Sequence, residues 1–328
     1  MEARRINIIV DAMGGDNAPD MIVAGACAAA EKFNVEITLV GKADMIEPLV
    51  TSDKCKVVHA SEVIENSDVA IDSIKAKRDS SMVKGLIMLR EGEGNAFVSA
   101  GNTGALISAA TLFVHRLKGV KRVALAALIP TQKGKMMLMD AGANLVCKPE
   151  YITQFGVMGA IYIKKVFDVE NPKVGLLNVG AEASKGTDTY RQAHEMLAES
   201  GVDFIGNVEA REFYSGVCDC LVADGFAGNI MLKSIEGTAQ FMNWHLKRAM
   251  LKNAFAKLMA MGLKGSLKGM KKQMDYKSHG GAPMLGVAGN VIKAHGSSDS
   301  VAIFNAIGEA IKFAESGVND EIVSHLAK

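Results

Sequence analysis

Short apolar runs alternate along the chain with longer stretches whose apolar residues return every three or four positions, the two patterns of buried strand and amphipathic helix. A first strand is expected from Ile6 to Asp11, and Pro19 suits the first turn of a helix running on through MIVAGACAAAEKF. Val35 to Val40 and Lys56 to His59 read as strands with a short helix between them. The mixed-charge stretch from Ser61 to Ser81 reads as solvated helix and loop. A helix from Ser80 to Arg90 leads into AFVSAGNTGALISAATLFV (96–114), which reads as strand, glycine loop and helix. Val123 to Ile129 and Met136 to Asp140 flank Pro130 to Gly134 as a hairpin that would add antiparallel strands. Beyond it come a helix from Pro149 through Tyr162, a strand from Lys173 to Asn178, a helix from Thr187 to Ser200, and strands from Asp203 to Val208 and Cys218 to Ala223. One long helix is expected between Ile230 and Met274. The chain then returns to the sheet after Gly280, with a last strand to Ala294 and helices from Asp299 and Asn319. Such alternation predicts an α/β fold on an open, largely parallel sheet.

Six of the strand ends share one design: an apolar run stops at Gly, Asn or Asp before a new helix. They are IIVDAMGGDNAP, SAGNTGAL, LMDAGAN, LLNVGAEASKGT, LVADGFAGN and VIKAHGSSD. If the strands run parallel, these loops converge on one crevice. Asn102 or Thr103 is placed to cap the central helix, and no Asp or Glu lies between Glu93 and Lys118 to compete for an anion held on its first N–H groups. An anion-handling site is therefore expected.

The chain has 328 residues, which makes one large α/β unit (1–328), with two lobes the expected arrangement. Hydrophobic residues are 49% and aromatics 5%, so the core is aliphatic. A formal net charge of +1 gives no whole-protein attraction to nucleic acid. The five cysteines contain no C-x-x-C pair, and free thiols in a cytoplasmic protein are expected. The first residues lack the long apolar core of a signal peptide.

Most familiar chemistries fail on spacing. There is no G-x-x-x-x-G-K-[ST], G-x-G-x-x-G, H-E-x-x-H or G-x-S-x-G, and no His with an Asp five positions on. No metal, no cofactor and no covalent nucleophile are expected. Lys185 precedes a helix among small residues and either reaches a bound phosphate or is a surface lysine. Asn102, Asn144 and Asn229 each end a glycine loop, as caps or as ligands. His295 stands at a strand end, and Asp11, Asp140 and Asp224 close theirs.

In this order and over nearly the whole chain, the six motifs resemble the bacterial acyl-acyl carrier protein:phosphate acyltransferases of phospholipid synthesis. The resemblance implies a three-layer α/β/α fold like isocitrate and isopropylmalate dehydrogenases and phosphate acetyltransferase. It further implies a homodimer in the cytoplasm, peripherally held at the membrane, that transfers a fatty acyl group from acyl carrier protein to inorganic phosphate. Carried over by motif, the catalytic residues would be Lys185, Asn229 and His295, with Asp11, Gly14, Gly15, Asn102, Thr103, Gly104, Asp140, Asn144 and Gly296 binding phosphate and substrate. The alternatives are a phosphate acetyltransferase-like enzyme using acyl-coenzyme A, and a non-catalytic binder of acyl carrier protein or lipid.

Residues 237–278 form a basic amphipathic segment, expected as a protruding helical arm. Lys252, Lys257, Lys264 and Lys268 lie in a span with no acid between Glu236 and Asp275, while Phe255 and Leu258 belong to an apolar face at helical spacing. It suits an anionic membrane surface, an acidic carrier protein or a dimer interface.

Overall fold

The computed structural model describes residues 6–262 and 280–327, without the side chains of Ala254, Phe255, Leu258 and Met261. Lys264, Lys268 and the Phe255 and Leu258 side chains of the expected arm therefore lie outside the described residues. Strand β1 (Asn7–Asp11) is buried on both faces, which is why NIIVD is apolar throughout rather than alternating. Around it stand α1 (Asp20–Phe33), β2 (Glu36–Gly41), α2 (Ala43–Ile46), β3 (Cys55–His59), α3 (Ala70–Ala76), α4 (Ser81–Arg90), β4 (Ala96–Ser99) and α5 (Thr103–Ala109). The second part holds β5 (Ala124–Thr131), β6 (Gly134–Met139), α6 (Pro149–Phe167), β7 (Lys173–Asn178), α7 (Asp188–Ala198), β8 (Asp203–Glu209), β9 (Cys220–Val222), α8 (Gly225–Met250) and α9 (Ala254–Gly262). Strands β10 (Ala282–Leu285) and β11 (Asn290–Lys293), with helices α10 (Ser300–Glu315) and α11 (Val318–Leu326), return to the first part.

The strands form one 11-stranded sheet in the order β3-β2-β1-β4-β11-β10-β5-β6-β9-β7-β8. Side chains alternate between its faces. Ile8 and Val10 join a cluster with α1, α6 and α10, whereas Ile9 joins one with α4 and α5. In the second part Met137 and Met139 face α6, while Met136 and Leu138 pack with Met231 of α8. The result is the expected three-layer α/β/α stack.

The strand directions differ from the sequence expectation. The predicted β5–β6 hairpin is present, but β10 also runs antiparallel to both β11 and β5, so the two parallel sections point in opposite directions. Their C-terminal ends nevertheless meet, because β5 serves both. Ala124 and Leu125 pair with β10, and Ala126 to Thr131 pair with β6. The glycine loops after β1, β4 and β11 and those after β6 and β9 come together by interlocking rather than by running parallel, while the loop after β7 stays outside them.

Helix α8 begins earlier than its apolar spacing predicts, and it ends at Met250 rather than continuing. Asp224 caps its start by accepting from Ala227 N at 2.7 Å, and the Asn253 carboxamide caps the following α9 by accepting from Ala256 N at 2.8 Å. The glycines of ADGFAGN let α8 lie directly on the end of β6: a Cβ on Gly228 would stand 1.9 Å from the Asp140 carbonyl oxygen. Gly228→Ala is accordingly expected to lower unfolding free energy by about 1–3 kcal/mol through forced displacement. Urea denaturation checks the size of the loss.

Candidate active site

A cavity of about 1070 Å³ opens between the two sections of the sheet. Strand β5 and helix α8 form its long walls, through Leu125, Ala127, Leu128, Ile129 and Pro130 on one side and Leu232, Ile235, Ala239 and Met242 on the other. From Asn229 to Met242 the helix advances about 20 Å. Polar residues gather where the loops meet: Thr103 and Gly104 after β4, Lys293, His295 and Gly296 at the end of β11, and Asn229 in the second turn of α8. Ala70 and Ile71 also line the cavity, so the mixed-charge stretch expected to be only solvated contributes to a wall.

Beneath this polar end, the loops after β1, β4 and β11 are locked together. Asp11 is buried. It accepts from Ser99 Oγ at 2.7 Å and from the Met13 backbone N–H, and burial pushes its carboxyl up against the hydrogen bonds from Ser81, Ser99, Met13 and Gly14. Gly14 leaves room for that carboxylate, since a Cβ there would stand 2.4 Å from Asp11 Oδ2. Gly15 has φ +108, which favours glycine, and brings the chain beside Gly296, whose carbonyl accepts from Asp16 N at 2.8 Å. Asn102 is the cap of α5, accepting from Ala105 N at 3.0 Å, while its Nδ2 donates to the carbonyls of Asn66 and Asp68.

Asp140 organises the opposite side. Its Oδ1 accepts from the N–H groups of Leu125, Gly142 and Ala143, and its Oδ2 from Asn144 N at 2.7 Å and Asn144 Nδ2 at 2.8 Å. Burial pushes its carboxyl up, and these donors act against that push. Asn144 also donates to Val123 O at 2.7 Å, so both N–H groups of its amide are engaged in the loop. The expected ligands Asp11, Asp140 and Asn102 thus help build the walls with their polar atoms engaged within the protein, as are both amide N–H groups of Asn144.

Asn229 differs from them. It lies against Gly142, and its carboxamide makes no hydrogen bond among the described residues. His295 is exposed at the cavity rim, with Nδ1 beside the Ser297 hydroxyl at 3.0 Å and the Ser297 backbone N–H at 3.2 Å. Lys185 is not brought to this cluster: it is exposed on the loop after β7, which Asn178 Nδ2 ties down through the Lys185 carbonyl at 3.2 Å. Lys293 was not singled out by the sequence patterns. Its side chain is 7% exposed and lines the cavity, and burial lowers its ammonium to about 8, with Asp11 and Asp16 opposing the drop and Lys233 adding to it. The only sequence signal is a lysine closing an otherwise apolar strand directly before a glycine loop.

The three-layer α/β/α fold is one that solved phosphotransacetylases share. The solved phosphotransacetylase of Streptococcus pyogenes superposes with a TM-score of 0.64 at 15% identity, covering 96% of this chain and 94% of its own. The 4-hydroxythreonine-4-phosphate dehydrogenase of Klebsiella pneumoniae shares the fold more loosely, with a TM-score of 0.54 at 12% identity over 95% of this chain and 100% of its own. The family model described as fatty acid synthesis protein matches residues 6–321, and the chain belongs to that family. A protein of Thermoanaerobacter pseudethanolicus named phosphate acyltransferase is 46% identical over 323 residues, 98% of this chain and 96% of that protein. One of the same name from Geobacillus thermodenitrificans is 45% identical over 326 residues, 98% and 99% of the two chains.

Replacing Asp140 by Asn keeps the shape but sets an NH₂ group against N–H groups it now accepts from. Asp140→Asn is expected to destabilise the chain by about 1–3 kcal/mol for each donor left unpaired, read as a fall in the urea midpoint.

Proposed function

We propose that this chain transfers a fatty acyl group from the thioester of acyl carrier protein to inorganic phosphate, giving an acyl phosphate and the free carrier thiol. Its family and the name its relatives carry make it an acyltransferase acting with phosphate. The observation that carries the finer reading is the shape and polarity of the cavity. Apolar residues of β5 and of about 20 Å of α8 line it, and polar groups gather at one end, which suits a long acyl chain with a reactive carbonyl at its end.

A phosphate oxygen attacks the thioester carbonyl carbon, the carbonyl oxygen takes the negative charge, and the C–S bond breaks as the tetrahedral intermediate collapses. The proton of the phosphate monoanion or dianion ends on the departing sulfur. Phosphate is a competent nucleophile once held in place, so positioning and oxyanion stabilisation supply the catalysis. The Asn229 amide is assigned to the oxyanion, and His295 to relaying the phosphate proton to sulfur, its Nε2 first taking the proton up and then giving it to the departing thiolate. Thr103, Gly104 and Gly296 shape the phosphate end. For Lys185 to act on the same phosphate, its loop must come over the cavity or a second copy must present it. A coenzyme A thioester is the alternative donor, and the length of the apolar lining favours a long acyl group over acetyl in either case. A purely binding role leaves the converging donors without a task.

The expected result is release of carrier thiol from palmitoyl-acyl carrier protein only when inorganic phosphate is present, with acyl phosphate identified by mass spectrometry. Asn229→Ala should lower kcat by about 100 to 1,000 fold. Equal thiol release without phosphate overturns the reading, and turnover only with acyl-coenzyme A moves the donor assignment.

The outer half of α8 carries exposed Phe241, Met242 and Trp244, followed by exposed Lys252 and Lys257. No helix among the described residues is long and apolar enough to cross a membrane. We assign this surface to a homodimer contact and to peripheral binding at the cytoplasmic membrane face, which would keep the acyl product near lipid. Near an anionic surface each lysine contributes up to about 1 kcal/mol. Changing Lys252, Lys257, Lys264 and Lys268 together to Glu is expected to abolish cosedimentation with anionic vesicles, and unchanged cosedimentation removes the membrane from the assignment.

A further inference from the structure

Among the described residues Lys293 is the only buried lysine or arginine, and the acyl-transfer chemistry above gives it no task. An ammonium group removed from water is unfavourable unless its charge and its three N–H groups are satisfied. Lys293 Nζ donates to Ala100 O at 3.3 Å and to Ala294 O, which leaves a third donor and the whole charge unmatched by any ion pair among the described residues. Asp11 and Asp16, from the loop after β1, attract it from a distance, and Lys233 of α8 repels it.

A second group nearby is also unsatisfied. Ser298 lines the same cavity and is 1% exposed, and its hydroxyl has no hydrogen-bond partner among the described residues. Buried hydroxyls without partners are rare in native proteins. Ser298 stands five positions beyond Lys293, and the loop between them is held in shape by Ser298 N donating to His295 O at 3.0 Å and by Asn17 Nδ2 donating to Ser298 O at 3.1 Å. These bonds hold the backbone that carries both groups.

We propose that Lys293 and Ser298 form the subsite that holds the phosphate nucleophile. The inference rests on the acyl-transfer reading. A buried full charge calls for a standing anion rather than a transient one, and phosphate brings both the charge and the acceptor oxygens that these two donors lack. The subsite lies on the β11 side of the cavity, whereas Asn229 lies on the β6 side, so nucleophile and carbonyl are presented from the two opposed sections of the sheet.

The test is phosphate saturation of the full chain at saturating palmitoyl-acyl carrier protein. Lys293→Met should raise the phosphate KM by about ten- to a hundredfold with the donor KM unchanged, Ser298→Ala should raise it by a smaller factor, and Lys293→Arg should restore part of the loss. In the wild type the phosphate KM should climb as pH passes above about 8, where Lys293 gives up its charge. The charged groups facing it, Asp11, Asp16 and Lys233, remain in Lys293→Arg, where that climb should vanish because arginine stays protonated. A phosphate KM untouched in Lys293→Met, or a rise in the donor KM instead, overturns the proposal. Should Lys293→Met fail to fold, the pH profiles of wild type and Lys293→Arg decide it, and a wild-type profile flat above pH 8 overturns it. Calorimetric titration of inorganic phosphate into wild type and Lys293→Arg, without acyl donor, separates the two claims. Wild type that binds phosphate with the same pH dependence but turns nothing over would sink the acyl-transfer reading while leaving the subsite in place.

Discussion

The buried carboxylate of Asp140 is the interaction on which the cavity depends. Placing an ionisable acid at the end of an apolar strand is unfavourable unless donors surround it, and five do. One of them, Leu125 N, belongs to β5, the strand shared by both sections of the sheet. The others belong to the loop on which α8 rests through Gly228. A single side chain thereby fixes three things at once: the start of one cavity wall, the glycine turn beside Asn229, and the seat of the helix that forms the other wall. Asn144, expected as a ligand, also belongs to the clamp, because the N–H groups of its amide bridge Asp140 and Val123.

The reversal of strand direction across β10, β5 and β6 gives this clamp its importance. In a wholly parallel sheet, helix N-termini and loops gather along one edge by topology alone. Here the two parallel sections run oppositely, and their loop ends come together only because β5 spends its first residues on β10 and the rest on β6. The cavity therefore has two unlike sides, one built from the interlocked loops after β1, β4 and β11, the other from the Asp140 loop and α8. On the proposed function, an acyl chain would lie between β5 and α8 with its reactive end facing both sides.

Much of this was legible in the chain itself. Strand and helix alternation located nearly every element, since buried parallel strands must be apolar and the covering helices must be amphipathic. The six glycine motifs identified the loops, and Asn102 did prove to be a cap. What the sequence could not carry was direction: PMLG at β10 reads the same whether the strand runs up or down, and the pairing partners lie far away along the chain. The helix break at Lys252 and Asn253 was equally hidden, because it depends on Asn253 turning its side chain back to cap α9. Lys293 escaped notice since a lysine closing a strand usually reaches solvent, and only the packed loops around it reveal that this one does not.

The chemistry then turns on competition with water. An acyl thioester can be hydrolysed as well as phosphorolysed, and water is always in large excess, so the site must raise the local presence of phosphate while keeping water from the carbonyl. Apolar walls along β5 and α8 answer the second need by leaving little polar surface to hold water beside the acyl chain. A buried cation answers the first by discriminating on charge, which water lacks. Lys293 can play that part only because its neighbours are already fixed: its two carbonyl partners come from rigid loop ends, and Asp11 is held by Ser99 and the loop backbone instead of closing an ion pair with it. Satisfying Asp11 locally is what leaves the lysine in need of an external anion, and the glycines that make room for Asp11 are thus part of the selection of phosphate over water.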